Sequence, residues 1–235
     1  MCSGTCRKKT EEVRYVQMTG KQRKLYDGQA IHLRSLLDHQ SEEEFNNSRF
    51  QVLTELTRLR QICCDPALCF EDYGDETAKT DACMELVQSA VDGGHRLLVF
   101  SQFTSMLDIL SSRLDGEHVE HFMITGSTPK EKRLQLVNAF NGGAVPVFLI
   151  SLKAGGVGLN LTGADMVVHY DPWWNLAAQN QATDRAHRIG QQKNVTVYKL
   201  ITKDSIEEKG PGASGDKNGS WQTGSSDRER SRRLP

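Results

Sequence analysis

The sequence has almost no excess of charge of either sign, and this limits how it can bind a charged partner. It contains 29 lysine and arginine residues and 30 aspartate and glutamate residues, which gives a formal net charge of −1. Binding to nucleic acid through the overall charge of the chain is therefore excluded. Any contact with a polyanion must come from a local surface.

Long hydrophobic runs are missing as well. No apolar run approaches the ~18 residues that a membrane-spanning helix needs, and the amino terminus has no signal-peptide pattern. We therefore expect an intracellular protein without a membrane partner.

The six cysteines form no complete metal-binding pattern. Cys2 and Cys6, or Cys63 and Cys69, are at most half of a site, because no second CxxC and no histidine pair completes one. We predict reduced thiols, as is usual inside cells, and no metal site.

The sequence also contains no complete phosphate loop of the GxxxxGK[ST] type. Gly20 and Lys21 come nearest to it, but Tyr15 replaces the first glycine and Gln22 replaces the serine or threonine. An acidic Mg²⁺-binding box is missing too, so the chain has no self-contained nucleotide site of this type.

Composition divides the chain into three segments. In residues 1–78 a strand-like stretch at 13–18 is followed by two long helical patterns, which predicts a helical accessory segment outside the sheet. In residues 79–209 helices alternate with short apolar runs, which predicts an α/β domain whose parallel sheet is covered by helices on both faces. Residues 210–235 have almost no apolar side chains, and we predict that this tail is disordered.

Polar residues follow the predicted strands of the α/β domain. They are Ser101, Thr125 and Gly126, the segment 151–160 and the segment 171–175. Ligands of open α/β sheets bind at the carboxyl ends of the strands, so we predict that this edge is the functional one. Its hydroxyl and backbone N–H groups suit the phosphates of a nucleotide or a nucleic acid.

The residues after this edge form a helical pattern with a polar stripe. Gln181, Arg185 and Arg188 are spaced i, i+4 and i+7, which predicts that all three share one face of a helix. Small apolar residues beside them predict close packing of the same helix on the sheet.

Several stretches of the chain form a set of motifs. They are MTGKQRKLYD, LTRLRQICCDP, RLLVFSQFTSMLDIL, MITGSTPKEKR, SLKAGGVGLNLTGADMVVHYDPWWN and QNQATDRAHRIGQ. The first two resemble the helical region that joins the motor lobes of the Swi/Snf family of superfamily-two DNA translocases. The others resemble motif four, the segment after it, and motifs five and six of that family. The resemblance covers roughly residues 13–209 and is closest to bacterial members.

The resemblance implies a RecA-like carboxy-terminal motor lobe, with ATP bound between it and an amino-terminal RecA-like lobe that also binds Mg²⁺. It implies that Arg185 and Arg188 are arginine fingers, which stabilise charge on the transferred phosphoryl group. Gln181 is then their partner in motif six, and Gly158 and Asn160 lie near the ribose.

The same resemblance implies an interface with double-stranded DNA. The residues that would contact the DNA backbone are Ser101, Gln102, Thr125, Gly126, Ser151 and Lys153. The residues that would couple the DNA face to the ATP face are Trp173, Trp174 and Asn175. The implied protein is the second motor lobe of an ATP-dependent DNA translocase in the cytoplasm, associated with the nucleoid if the source is bacterial.

Less specific interpretations stay open beside these. Arg188 can pair with Asp184 at i, i+4, and the two tryptophans can be packing anchors. His169 and His187 are better explained as structural than as catalytic residues, because no nucleophile or carboxylate partner is evident.

Two departures from the family pattern lead to further expectations. Without the phosphate loop and the acidic box, we expect that the chain alone neither hydrolyses ATP nor translocates. The family continues after SIEEK as an amphipathic helix, and the different composition here suggests a reading-frame change near Lys209 and a truncated gene start. The alternatives are a DNA- or partner-binding fragment without turnover, and an unrelated nucleotide-using α/β enzyme, although no Rossmann fingerprint follows the first strand of the domain.

Overall fold

The computed structural model describes residues 8–38, 42–155, 159–171, 176–186, 191 and 193–208. For residues 42–48, 155, 176 and 178 it describes the backbone alone. The elements, in chain order, are β1 (Lys9–Val16), α1 (Gly20–Asp38), α2 (Glu42–Cys64), α3 (Ala78–Asp92), β2 (Leu97–Ser101), α4 (Thr104–Gly116), β3 (His121–Ile124), α5 (Lys130–Asn141), β4 (Val147–Ser151), α6 (Leu152–Gly155), β5 (Met166–His169), α7 (Leu176–Thr183) and β6 (Val195–Thr202). The predicted disordered tail lies outside the described residues.

The described strands form one sheet in the order β1-β6-β5-β2-β4-β3, and every pairing is parallel. The prediction of a parallel α/β sheet is therefore confirmed. Strands β2 to β6 lie at the predicted apolar runs. Every residue of β2, β4 and β5 is buried, and a strand buried on both faces needs mainly apolar side chains. The central strand β2 lies between β4 and β5.

Helices cover both faces of the sheet, as predicted. Leu97 and Val99 of β2 pack in a cluster with residues of α3 and α4. Leu98 and Phe100 point to the other face and pack with residues of α5 and α7. The alternation follows from the pleat of a strand, which directs successive side chains to opposite faces.

The prediction that the first segment lies wholly outside the sheet is wrong. Strand β1 pairs in parallel with β6, from Lys9 opposite Val195 to Val16 opposite Thr202. It is an edge strand, and of its residues only Lys9, Val13 and Val16 are partly buried. Because an edge strand needs few apolar residues, its polar sequence gave little sign of the pairing.

The two predicted helices of the first segment form a hairpin beside the sheet. Its core contains Tyr26, Leu33 and Leu59. Nε2 of Gln22 donates a hydrogen bond of 2.8 Å to the Ile62 carbonyl and so connects the two helices away from their loop. Among the described helices, none combines the length and the apolar character that a membrane crossing requires.

Candidate functional site

The carboxyl edge of the sheet brings several predicted site residues together. Ser101 ends β2 and lies opposite Ser151, which ends β4. On the other side of β2, strand β5 leads into Tyr170 and Asp171. Thr125 follows β3 at the same edge. These residues come from separate parts of the chain, and the parallel sheet aligns them.

Ser101 and Ser151 lie beneath the surface of this edge. Their exposed fractions are 0% and 1%. The Ser101 hydroxyl accepts a hydrogen bond of 3.1 Å from the Phe103 amide, and the Ser151 hydroxyl accepts one of 3.3 Å from the Ala154 amide. In this structure the two hydroxyls thus stabilise the turns that start α4 and α6. Their direct contact with DNA stays a prediction.

Gln102 and Asp171 link the ends of β2 and β5 at this edge. The backbone N–H of Gln102 donates to the two carboxylate oxygens of Asp171, at 3.2 and 3.1 Å. Nε2 of Gln102 is buried and has no acceptor among the described residues. Burial raises the pKa of Asp171, while a hydrogen bond with Ser101 and the charge of Lys79 act in the opposite direction.

Thr125, Gly126 and Lys153 are the more open part of the edge. Thr125 donates its amide to the Thr128 hydroxyl at 3.0 Å, and Nη2 of Arg133 donates to the Gly126 carbonyl at 2.8 Å. A side chain added at Gly126 would meet nothing within 4 Å, so its backbone can be approached from outside. Lys153 is exposed. The hydroxyl, ammonium and free backbone N–H groups here can donate hydrogen bonds to a polyanion without a rearrangement of the core.

Asn160 and Arg185 lie away from that edge, beside the loops that precede the strands. The Asn160 carbonyl accepts a hydrogen bond of 2.8 Å from Asn141, the last residue of α5. The Asn141 carbonyl accepts one of 3.1 Å from Arg96, which directly precedes β2, and the Arg185 carbonyl accepts one of 3.0 Å from the Leu161 amide. The prediction that Asn160 lies at the carboxyl edge is therefore wrong, because the chain has already returned to the amino ends of the strands.

Helix α7 is shorter than the sequence predicts. It ends at Thr183, and the Arg185 amide bonds to the Ala182 carbonyl three residues before it, at 3.2 Å. Such bonds tighten the chain and end the α-helical spacing. The predicted single helix face with Gln181 and Arg185 is therefore wrong. Gln181 is exposed, whereas Arg185 is buried with an exposed fraction of 5%.

A groove of about 500 Å³ lies next to Asn160, between α5 and the residues before β5. Lys130 and Arg133 supply positive charge to its lining, Glu131 supplies negative charge, and Leu134, which is 63% exposed, supplies an apolar surface. This mixed lining suits a ligand with charged and apolar parts or the surface of a partner protein.

Several predicted site residues lie outside the described residues. They are Gly158, Trp173, Trp174, Asn175, His187 and Arg188. His169 is described, and it is a core residue. Its Nε2 lies 2.8 Å from the Thr183 hydroxyl and its ring stacks on Phe100. Burial lowers its pKa to about 3.

No sequence pattern indicates the contacts that join the helical hairpin to the carboxyl edge. The Tyr170 hydroxyl donates to the Cys64 carbonyl at 3.1 Å, and the Thr202 hydroxyl donates to the Cys63 carbonyl at 3.1 Å. Both carbonyls lie at the end of α2, where helices leave acceptors without partners. The hairpin is thereby connected to the same edge as the predicted DNA contacts.

In the part of the chain that the structure describes, no group of three or more histidine, cysteine, aspartate or glutamate side chains could bind a metal ion. Cys63, Cys64, Cys69 and Cys83 are free thiols, and three of them are buried.

Comparison with known proteins gives a consistent result. Residues 78–190 match the helicase conserved C-terminal domain. The chain is 38% identical over 209 residues to the putative ATP-dependent helicase/translocase YwqA of Bacillus subtilis, covering 86% of this chain and 22% of that protein. It is 37% identical over 197 residues to an uncharacterised ATP-dependent helicase of Mycoplasma pneumoniae, covering 83% of this chain and 18% of that protein.

Solved structures agree with the sequence matches. The SWI2/SNF2 ATPase core of Sulfolobus solfataricus in complex with double-stranded DNA matches with a TM-score of 0.74 and 31% identity, over 86% of this chain and 42% of that one. The C-terminal domain of the same ATPase matches with a TM-score of 0.70 and 29% identity, over 86% and 82% of the two chains. The chain belongs to the Swi/Snf family. It has the RecA-like fold of the C-terminal helicase lobe of that family, as the motifs predict.

The matches cover only one part of each whole Swi/Snf relative. The chain spans about a fifth of the length of the curated relatives that it matches. Bacterial members are among them, and so is the yeast ISWI chromatin-remodelling ATPase, at 36% identity over 208 residues. The matched part of the Swi/Snf proteins is the lobe described above.

Proposed function

We propose that the chain acts as the second motor lobe of an ATP-dependent double-stranded DNA translocase. Its part in the reaction is to supply Arg185 and Arg188 to an ATP molecule bound mainly by an amino-terminal lobe, and to contact the DNA backbone. The observation that carries the proposal is that two sets of family motif residues lie at opposite ends of the strands. Asn160 and Arg185 lie near the amino ends, and the residues proposed to contact DNA lie at the carboxyl ends. ATP-dependent helicases of the same family support the use of ATP.

The ATP side lies near the amino ends of the strands. Support comes from the hydrogen bond between the Leu161 amide and the Arg185 carbonyl, which brings the residues of motifs five and six together. An arginine next to the transferred phosphoryl group contributes about 10³–10⁵ in rate. The groove beside Asn160 leaves room for a ligand or for the other lobe.

The DNA side lies at the carboxyl edge. The uncharged polar groups there, together with Lys153, suit phosphate contacts that do not read sequence. A related ATPase core was solved with double-stranded DNA, which supports the same class of partner here. Because β2 and β4 are five residues long, at about 3.3 Å per residue, the two sides lie roughly 15 Å apart along the strands.

ATP hydrolysis requires groups that the 235 residues do not contain. Neither GxxxxGK[ST] nor an acidic box occurs in the sequence, so we propose that the amino-terminal lobe binds the phosphates and Mg²⁺. The chain alone is then inactive as an ATPase.

The test is complementation. The purified chain is mixed with a separately produced amino-terminal lobe of a bacterial relative, and ATP hydrolysis is measured with and without double-stranded DNA. The proposal expects no hydrolysis by this chain and DNA-stimulated hydrolysis by the mixture. Hydrolysis by the chain alone would contradict it. If the mixture is inactive but the chain still binds DNA, the alternative of a non-catalytic DNA-binding fragment is favoured.

A further inference from the structure

We infer that Asp171 is a positioning residue for the DNA face: it fixes Gln102 for contact with the DNA backbone and connects that contact to the segment after β5. The inference deepens the proposed function and rests on it. Asp171 lies directly before residues 172–175, which include the two tryptophans of the predicted coupling segment.

The geometry joins the ends of two neighbouring strands through one carboxylate. Both oxygens of Asp171 lie within 3.2 Å of the Gln102 amide, across 69 positions of sequence. The exposed fraction of Asp171 is only 1%, and the neighbouring Ser101 side chain favours its ionised form. A buried carboxylate that accepts from a backbone amide has little freedom to move, because any displacement leaves charge without partners.

The charges around Asp171 come from the sheet's helical neighbours. Lys79, at the start of α3, and Arg60, on α2, both stabilise the ionised carboxylate. The Arg60 guanidinium also lies 5.9 Å from the centre of the Phe103 ring, directly after Gln102 in the chain. The end of β2 is therefore enclosed by contacts from α2, α3 and β5.

The side chain of Gln102 is the group that this arrangement leaves without a partner. The Gln102 backbone amide is used by Asp171, but Nε2 is buried and has no acceptor among the described residues. An amide donor without a partner at the edge of a sheet is costly unless a ligand or water completes it. A DNA phosphate oxygen is an acceptor of the right chemistry for this donor.

The direction in which DNA affinity changes when Asp171 is replaced distinguishes a positioning role from an effect of its charge alone. Asp171 is an anion close to a surface that we propose to bind a polyanion. Its removal would strengthen DNA binding if the charge alone mattered. If Asp171 positions Gln102, its removal weakens binding in spite of the lost repulsion.

The experiment measures binding of a short labelled DNA duplex to the full chain by fluorescence anisotropy over a range of salt concentrations. We expect Asp171→Ala, which removes the acceptor of the Gln102 backbone amide, to lower the affinity about 3- to 10-fold, within the range of coupling effects of about 0.5–2 kcal/mol. The slope of log affinity against log salt should stay close to that of the parent chain, because a neutral amide contact releases no counterion from the DNA. Gln102→Ala should give the same changes, and the double variant should lose no more than either single one.

Tyr170→Phe is the matched control, because it alters the adjacent buried residue and removes its hydroxyl without touching Gln102. It should bind DNA like the parent chain. If Asp171→Ala does not fold, Gln102→Ala still tests the phosphate contact. Unchanged or stronger binding by Asp171→Ala, equal loss in Tyr170→Phe, or unchanged binding by Gln102→Ala overturns the inference while parental DNA binding stands. If the parent chain does not bind DNA at all, the DNA part of the proposed function is wrong as well.

Discussion

Lys79 and Glu207 form a buried ion pair that joins the start of α3 to the segment after β6. Nζ of Lys79 lies 2.7 Å from both carboxylate oxygens, and each side chain is 1% exposed. One of those oxygens also accepts a hydrogen bond of 2.9 Å from the Thr202 amide. The Lys79 ammonium lies 5.4 Å from the centre of the Tyr170 ring. The pair thus lies beside the contacts that join the sheet to the helical hairpin, from Tyr170 to Cys64 and from Thr202 to Cys63. We call this group of contacts the joint.

Breaking this pair should destabilise the fold strongly. Lys79→Met leaves the carboxylate of Glu207 buried without its cation, and we expect a loss of about 3–5 kcal/mol in the free energy of unfolding. The double variant with Glu207→Gln should recover part of it, since the amide oxygen can still accept from Thr202. Urea unfolding measures the free energy of unfolding of the single and the double variant. The exposed pair Lys21 and Asp75 provides the control, because Lys21→Met should change the stability by no more than about 1 kcal/mol.

The same joint should control the reactivity of buried thiols. Burial raises the pKa of Cys63, Cys64 and Cys83, the last to about 12, so native protein should react slowly with a disulfide reagent at all three. Cys69 is only partly buried and should react faster. Mass spectrometry after timed labelling assigns the sites. Glu207→Gln should accelerate Cys63 and Cys64, which lie at the joint, more than Cys83; equal acceleration of all three would indicate general unfolding instead.

His169 should make the fold less stable in acid. Its pKa falls from 6.5 to about 3 because burial disfavours the charged ring, so the unfolded chain binds a proton that the folded chain does not. Stability contributed by the neutral ring is complete above pH 6.5 and is lost as the pH falls towards 3, by at most about 1.4 kcal/mol per pH unit. Urea unfolding of the parent and of His169→Gln between pH 7 and 5 tests this. The parent should show the steeper loss, and equal slopes would contradict the assignment.

Local sequence pattern was enough to locate most of the fold. The apolar runs of β2 to β6 predicted strands within two residues of their observed ends. The pattern is clearest in β2, β4 and β5, which are buried throughout and therefore need mainly apolar side chains. Strand β1 pairs with a strand 186 residues away and is polar, so nothing in its own sequence indicated the pairing. Lys79 and Glu207 are likewise 128 positions apart and their partnership depends on the complete fold.

The sequence was enough to predict which residues belong to the candidate site, but less of their positions in the fold. The polar strand ends do meet at one edge, as the rule for parallel sheets requires. The rule could not show that Asn160 is already near the amino ends, because it says where a loop leaves a strand and not where that loop ends. Helical spacing also failed at Arg185, where the bond from the Leu161 amide and the tighter turn replace the next turn of helix.

The central claim is that Arg185 acts on ATP bound by another lobe, and substitution in the complemented motor tests it most directly. ATP hydrolysis is compared for mixtures of the amino-terminal lobe with the parent chain, with Arg185→Ala and with Arg113→Ala, a control on the far helix α4 that pairs with Glu76. We expect Arg185→Ala to lower kcat by about 10³-fold or more while DNA binding by the lobe is kept, and Arg113→Ala to match the parent. Parental kcat in the Arg185→Ala mixture would contradict the account.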